Sequence, residues 1–389
     1  MERSHRSTAA VLFTCLFAAQ AAVIAMTPVL AEAAADLHVT TAAAGQLRTI
    51  AGLVAGITAL VVGAAAGRVG LARQLLAGCV LLAIGSAASA AAPTFALLAV
   101  AQVPVGLAVA VLTSCGTLAA AEWVAPEHRT RVLSWTLVGQ PAAWIVGMPL
   151  IGVVGERSWR LGWLVLPLTA AVAAGALVMR TRAEPRAATP PSRLLAVLAD
   201  RDRARWLLSE LLANAAWAGT LVYSGALLVE SYGVSPRLTG GLLALVAGAY
   251  VAGNLASRRL VGREHVRLLV LLAVALAAAV TLFGAVRPGV AASTALLAVA
   301  ATIAGGRTLI SGAFAVGAPP EVRPGLTALR AATMQFGYFA GSTAAGAALA
   351  AGGYGALGAV LGLFFLGAAA VLVGRRAPSE APQPALYRA

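Results

Sequence analysis

The chain has 389 residues, 60% of them hydrophobic and 11% charged, with a mean hydropathy of +0.88. That composition lies far outside the soluble range and points to many membrane crossings, with the lipid bilayer as the main partner. The formal net charge of +14 rests on arginine alone, since there is no lysine; a phosphate-loop lysine and a Schiff base are thereby excluded, which argues against ATP-driven work.

In chain order, the first six apolar spans fall at roughly 8–30, 43–66, 74–92, 95–120, 132–154 and 161–180. Six more follow at roughly 206–229, 238–257, 267–286, 291–316, 325–350 and 353–374. Between the sets, 181–205 carries Glu184, Pro185, Pro190 and Pro191 among several charges and reads as a polar linker. The expected organisation is all-α: a six-helix bundle over 1–180, the linker 181–205, a second six-helix bundle over 206–374 and a tail over 375–389. Arg3 and Arg6 ahead of the first span imitate a secretory signal peptide. An apolar run of about 23 residues is long for one, however, and its removal would leave span 7 without a counterpart.

A basic balance in a soluble protein would suggest nucleic acid, but here most arginines fall in short loops, so topology accounts for them and no nucleic acid is expected. One set of loops and termini holds nearly all of them. The other side has only Arg157, Arg160, Arg237 and Arg287, with Arg48 near that end of span 2. Arginine excess marks the cytoplasmic side, which places both termini inside a cell membrane. Cys15, Cys79 and Cys115 lie in three different apolar runs, and His5, His38, His128 and His265 are scattered through termini and loops. Neither set has ligand spacing, so no metal, disulfide or cofactor is expected.

Two polar words recur at half-chain spacing. Pro126-Glu127-His128-Arg129 is answered by Pro320-Glu321-Val322-Arg323, and Gly63…Arg68 by Gly253…Arg258, each about 190 residues on, as in a duplicated bundle. Polar content sorts the spans further. Spans 3, 6, 9 and 12 are almost purely apolar and are expected outermost. Spans 1, 4, 5, 7, 8, 10 and 11 carry Gln20, Gln102, Gln140, Glu210, Asn214, Asn254, Arg307, Gln335 and Tyr338, which are costly in lipid and should face a watered interior.

With twelve spans, the repeat and these loops, the chain resembles the major facilitator superfamily over essentially its whole length. The signature Gly-x-x-x-Asp-Arg-x-Gly-Arg-Arg after span 2 is matched by Gly63, Arg68, Gly70 and Arg73, with Gly67 in place of the aspartate and Leu71 in place of an arginine. Gly147-Met148-Pro149-Leu150-Ile151-Gly152, with Trp159-Arg160 beyond, is similar to the span-5 pattern of the drug:proton antiporter and arabinose-efflux-like branch. The resemblance implies two six-helix halves and alternating access. That branch often carries a span-4 arginine in proton handling; the matching position here is Gln102, which holds no charge. Without the aspartate, the loop after span 2 is expected to be held by Arg68 or Arg73 reaching Glu122 at the end of span 4.

Arg307 lies within span 10, about nine residues or ~14 Å from the cytoplasmic end. Its charge cannot be discharged there; it either braces a kink at Gly305-Gly306 or binds substrate or a coupling carboxylate. Glu210 lies one turn into span 7, followed at helical spacing by Asn214 and Trp217. Burial would favour its protonated form, as a proton carrier requires; the alternative is pairing with Arg205 or another loop arginine. Glu32, Asp36 and Glu230 are expected to be solvated, and Arg48 either reaches Asp36 or joins an external gate. Gln20, Gln140, Trp144, Gln335 and Tyr338 suit a cavity for an amphipathic organic molecule, or else bond helix to helix.

The residues together suggest a monomeric secondary active transporter. It would export a small drug-like molecule or metabolite, driven by protons, with Glu210 and Arg307 as coupling groups. An uncoupled sugar or metabolite facilitator and a non-transporting membrane sensor share the fold and remain open. No nucleophile, base and metal converge, so enzyme chemistry is not expected.

Overall fold

The computed structural model describes residues 2–65, 69–180, 197–260, 265–319 and 322–373. Eleven helices among these are long and apolar enough to cross a bilayer. The last of them, Gly325–Val373, runs for 49 residues, or ~74 Å, more than twice a ~30 Å hydrocarbon core. It breaks in the middle, at Gly352 (φ −154°, ψ 23°) and Gly353 (φ 67°, ψ −163°). Only glycine takes the second of these conformations cheaply. The break separates span 11 from span 12 where the hydropathy pattern places the boundary, so the eleven helices make twelve crossings.

The other spans are Glu2–Ile24 continuing through Leu30–Asp36 (span 1), Thr41–Ala65 (span 2), Leu71–Ala91 (span 3) and Phe95–Glu122 (span 4). Arg129–Gly155 forms span 5 and Trp159–Met179 span 6. In the second half come Arg201–Tyr232 (span 7), Pro236–Ala256 (span 8), His265–Ala285 (span 9) and Val290–Val316 (span 10). Local chemistry sets several ends. The Asp200 carboxylate accepts from the amides of Asp202 and Arg203, and the hydroxyls of Thr94 and Ser235 cap spans 4 and 8, relieving amides that have no helical acceptor. Gly233 closes span 7 in the left-handed conformation. Inside span 1, Pro28 supplies no amide hydrogen and the helix tightens to a 3-10 turn over Thr27–Val29.

Spans 1 to 6 pack on one another, as do spans 7 to 12, and the two sets meet where span 2 lies on span 11 and span 5 on span 8. Spans 3, 6 and 9 pack principally within their own set, as expected of apolar helices turned toward lipid. At the seam, side chains give way to backbone. A Cβ on Gly52 would come within 2.8 Å of the Phe339 amide, and one on Gly56 within 2.8 Å of the Phe336 ring. Toward the face opposite the arginine-rich loops the approach is closer still. Gly225 abuts the Thr27 carbonyl, Gly152 the Pro236 carbonyl and Gly240 the Met148 carbonyl.

Hydrogen bonds tie the same region across the seam. The Tyr223 hydroxyl donates to Ala42 O at 3.1 Å and Gln46 Nε2 to Ser342 O at 3.1 Å. Glu230 accepts from Thr41 of span 2 and, at 2.8 Å, from the Tyr354 hydroxyl at the start of span 12. The opposite face is therefore sealed by contacts that no single span could make alone. Glu230 is exposed, as expected, and from that solvated position it also ties the two halves together.

Candidate functional site

Two polar groups lie inside the helical packing. The first belongs to spans 7, 10 and 11. Span 7 buries Ser209 and Glu210, and span 10 buries Arg307, all at 5% exposure or less. Arg307 Nη1 stands 2.8 Å from Glu210 Oε1, and its Nη2 lies 3.4 Å from both the carbonyl and the hydroxyl oxygen of Ser209. From span 11, Arg330 Nε donates to Glu210 Oε2 at 3.2 Å while its Nη2 donates to Thr308 O at 3.3 Å. The Ser209 hydroxyl donates to Ala368 O at 2.8 Å, which joins span 12 to the group. Neither guanidinium can shed its proton, so one carboxylate is held between two fixed positive charges, with a net charge of +1 inside the bundle. Glu210 thus takes arginines from two neighbouring spans, not the loop arginines that its nearness to the interface suggested.

Glycines make this possible. Gly305 meets the Tyr250 carbonyl and Gly306 lies against Ser257, so spans 8 and 10 touch almost backbone to backbone. Span 10 stays continuous through the pair; the glycines permit contact instead of a kink. Tyr250 is in side-chain hydrogen-bonding contact with Thr308 and stacks on Trp217 with centroids 6.2 Å apart.

The second group straddles the seam. Arg48 lies two turns into span 2, 8% exposed, with its guanidinium carbon 4.1 Å from the centroid of the Tyr338 ring of span 11. Its Nε and Nη2 have no hydrogen-bond partner. Asp36 is not its anion: that carboxylate accepts from Arg160 and, at 3.0 Å, from Trp159 Nε1. Of the two readings open for Arg48, contact with Asp36 is not the one seen: Asp36 makes a span 1–span 6 tie instead, while Arg48 turns inward along its helix. Gln20 of span 1 lies beside the Tyr338 hydroxyl, and buried Gln335 has an Oε1 without a partner. Arg48 and Gln102 also line one cavity of ≈ 30 Å³ together with Thr27 and Trp163.

The sequence profile described as Major Facilitator Superfamily matches residues 12–317. The chain belongs to the Major Facilitator Superfamily. Among solved structures, a bacterial homologue of the human lysosomal transporter Spinster, in an inward-facing and unoccupied conformation, superposes with TM-score 0.73 at 14% identity over 96% of this chain and 95% of that one. The same homologue in an inward-facing and occupied conformation gives 0.73 at 16%, covering 95% and 94%. The nucleoside transporter NupG gives 0.72 at 15%, covering 93% of this chain and 97% of that one. These likenesses establish a shared fold. No curated protein sequence matches the chain.

Within the superfamily fold, the residues singled out from sequence take distinct places. Gln102 is 3% exposed and spends its amide on Ser89 of span 3 and on Leu98 O, both at 3.2 Å, so it clasps two first-half helices at the cavity wall. Gln140 and Trp144 are half-buried on span 5, Trp144 packing on the first-half core. Asn214 lies against Gly337 of span 11. Of the loop signature, Gly70 is the exposed residue that starts span 3, Arg73 is exposed and Glu122 is half-buried at the end of span 4. Arg68, Pro320 and Glu321 lie outside the described residues, as do 181–196 of the linker and the 375–389 tail. Gly63 holds its place near the end of span 2.

Residue type and spacing do not single out Arg330, Ser209, Tyr250 and Trp163, which the structure places in the two groups. For Arg330 a positional signal exists, since position 330 falls inside the predicted eleventh span, close to the arginine-rich loop that precedes it. The other three carry no signal at the level of residue type, because an apolar span holds many serines and aromatics that only pack. The three cysteines, read as separate packing residues, are buried free thiols; Cys15 and Cys79 are in side-chain contact, and Cys115 lies 3.2 Å from Gln74.

Proposed function

We propose that this superfamily member is a secondary active transporter that exports a small organic compound by alternating access, driven by protons. The arginine-rich face is cytoplasmic on this reading, with both termini inside the cell membrane and the halves 1–180 and 206–374 rocking as a monomer. The observation that carries it is Glu210 held between Arg307 and Arg330. A carboxylate that binds three spans at once is a two-state element: ionised, it draws spans 7, 10 and 11 together; protonated, it releases one or both guanidiniums and loosens the second half. The sealed face supports an inward-facing state, the state named for the Spinster homologue. A loop tie from Arg68 or Arg73 to Glu122 would bias the cytoplasmic gate by about 0–1 kcal/mol, and is expected in the outward-open state.

Flux in proteoliposomes under an imposed pH gradient tests the reading against a panel of lipophilic cations, organic anions and sugars. Wild-type protein is expected to move at least one class faster with the gradient, Glu210→Gln to lose that acceleration, and Arg307→Gln to lose flux while still inserting. Gradient-independent flux in the wild type would favour the uncoupled facilitator, for which Gln102 in place of a span-4 charge already speaks. No flux of any class would favour the non-transporting sensor.

A further inference from the structure

The cavity beside Arg48 is built from donors. Arginine offers five N–H groups and accepts nothing, and the indole of tryptophan is a donor only. Arg48 Nε and Nη2 are buried without partners, and so is Nε1 of Trp163, whose side chain lines the same cavity. The Gln102 amide nitrogen on the wall is already committed to Ser89 and Leu98. Among the described residues no carboxylate pairs with Arg48; the Tyr338 ring face is its one electrostatic partner. A water would satisfy the hydrogen bonds but leave the charge, whereas an anionic acceptor satisfies both. The volume of ≈ 30 Å³ exceeds the ~10–15 Å³ that a single water needs. It admits a head group and not a whole organic molecule.

We propose that this cavity receives the carboxylate head of an amphipathic organic monoanion, which makes organic anions the exported class; the assignment rests on the transport reading above. The guanidinium fork matches a carboxylate in shape and charge, and the indole N–H of Trp163 adds a third donor. Apart from Thr27, the remaining wall is apolar, with Val23, Met26, Leu47 and Val222, and the seam beside it carries the Tyr338 ring, so the body of the anion lies on hydrocarbon and aromatic surface. Cations are repelled. Arg307 and Arg330 do not compete for the head group, because they already hold Glu210. Arg48 belongs to the first half and Tyr338 to the second, so parting the halves at the sealed face withdraws the ring, hydrates the guanidinium and releases the anion on that side.

The test uses the purified full chain in detergent at constant ionic strength, with benzoate, its neutral isostere benzamide, and chloride as probes. Benzoate is expected to bind and to raise the unfolding temperature, and the other two to do neither. Arg48→Gln should weaken benzoate by about tenfold or more and Trp163→Phe by roughly severalfold, the range for hydrogen bonds to a charged group. Equal binding of benzamide, or unchanged benzoate binding in both variants, overturns the site. Equal stabilisation by chloride overturns the organic-anion assignment. Trp163→Phe removes a single N–H from the wall and keeps the test alive where Arg48→Gln fails to fold. Proteoliposomes separate the two proposals. Flux of cations or sugars but not benzoate leaves transport standing and overturns the anion class. No flux at all, with benzoate binding still dependent on Arg48, overturns transport and leaves the site.

Discussion

In the second half, Arg307 and Arg330 close on Glu210 from two spans, and Ser209 ties the group to a third. In the first half, Arg48 is nearly as buried but has only an aromatic face from across the seam. The contrast shows two ways of keeping a charge inside a membrane. A charge paired within its own bundle holds that bundle together whatever the other half does. A charge completed from the other half is complete only while the halves are closed at that level, and its cost returns when they part. The first arrangement suits a coupling element, the second a substrate site whose affinity changes with conformation.

The largest effect should come from breaking the paired side. Glu210→Ala leaves the buried Arg307 guanidinium without its carboxylate, with the partly exposed Arg330 beside it, and is expected to destabilise the protein by about 3–5 kcal/mol, the usual cost of breaking a buried ion pair. Thermal unfolding in detergent reads this; a loss below that of an ordinary surface substitution would mean that water already shares the cluster.

A smaller effect is expected at the seam. Tyr338→Leu removes the ring face from Arg48 and should cost ~2 kcal/mol, the value of a desolvated cation–π contact. In an Arg48→Met background the same substitution should cost almost nothing, since the two residues couple directly. Additive effects in that double-mutant cycle would deny the contact any energetic role.

The smallest effect has the opposite sign. An arginine deep in a span costs up to ~2.5–3.5 kcal/mol on insertion scales, of which the Tyr338 face returns ~2. Arg48→Met, which keeps the length of the side chain and drops its charge, is therefore expected to stabilise the protein by ~1 kcal/mol while abolishing benzoate binding. Destabilisation by Arg48→Met would show that Arg48 is as well satisfied as Arg307, and the comparison between the halves would collapse.

Much of the architecture was legible because hydrocarbon enforces it. Runs such as Leu268 to Val280 have no other place to go, and the glycine pair at 352 and 353 fell where the pattern changes from one apolar run to the next. Charges inside spans were legible for the same reason: Glu210 and Arg307 stood out because lipid tolerates neither alone. Partner choice was not. Arg48 and Asp36 are near in sequence and opposite in charge, yet span 2 turns one inward while Arg160 and Trp159 of span 6 claim the other.

What the sequence by itself determined is the number of crossings, their order and the sign of the charge left on each loop, since these follow from the cost of moving single residues between water and lipid. Which charge meets which carboxylate, and which is left to an aromatic ring, was decided only in the tertiary structure. Those contacts join spans about 100 to 290 residues apart in the chain and depend on how each helix is rotated about its own axis. That rotation is set by packing at glycines such as Gly52, Gly240 and Gly305, where one helix lies directly on the backbone of another.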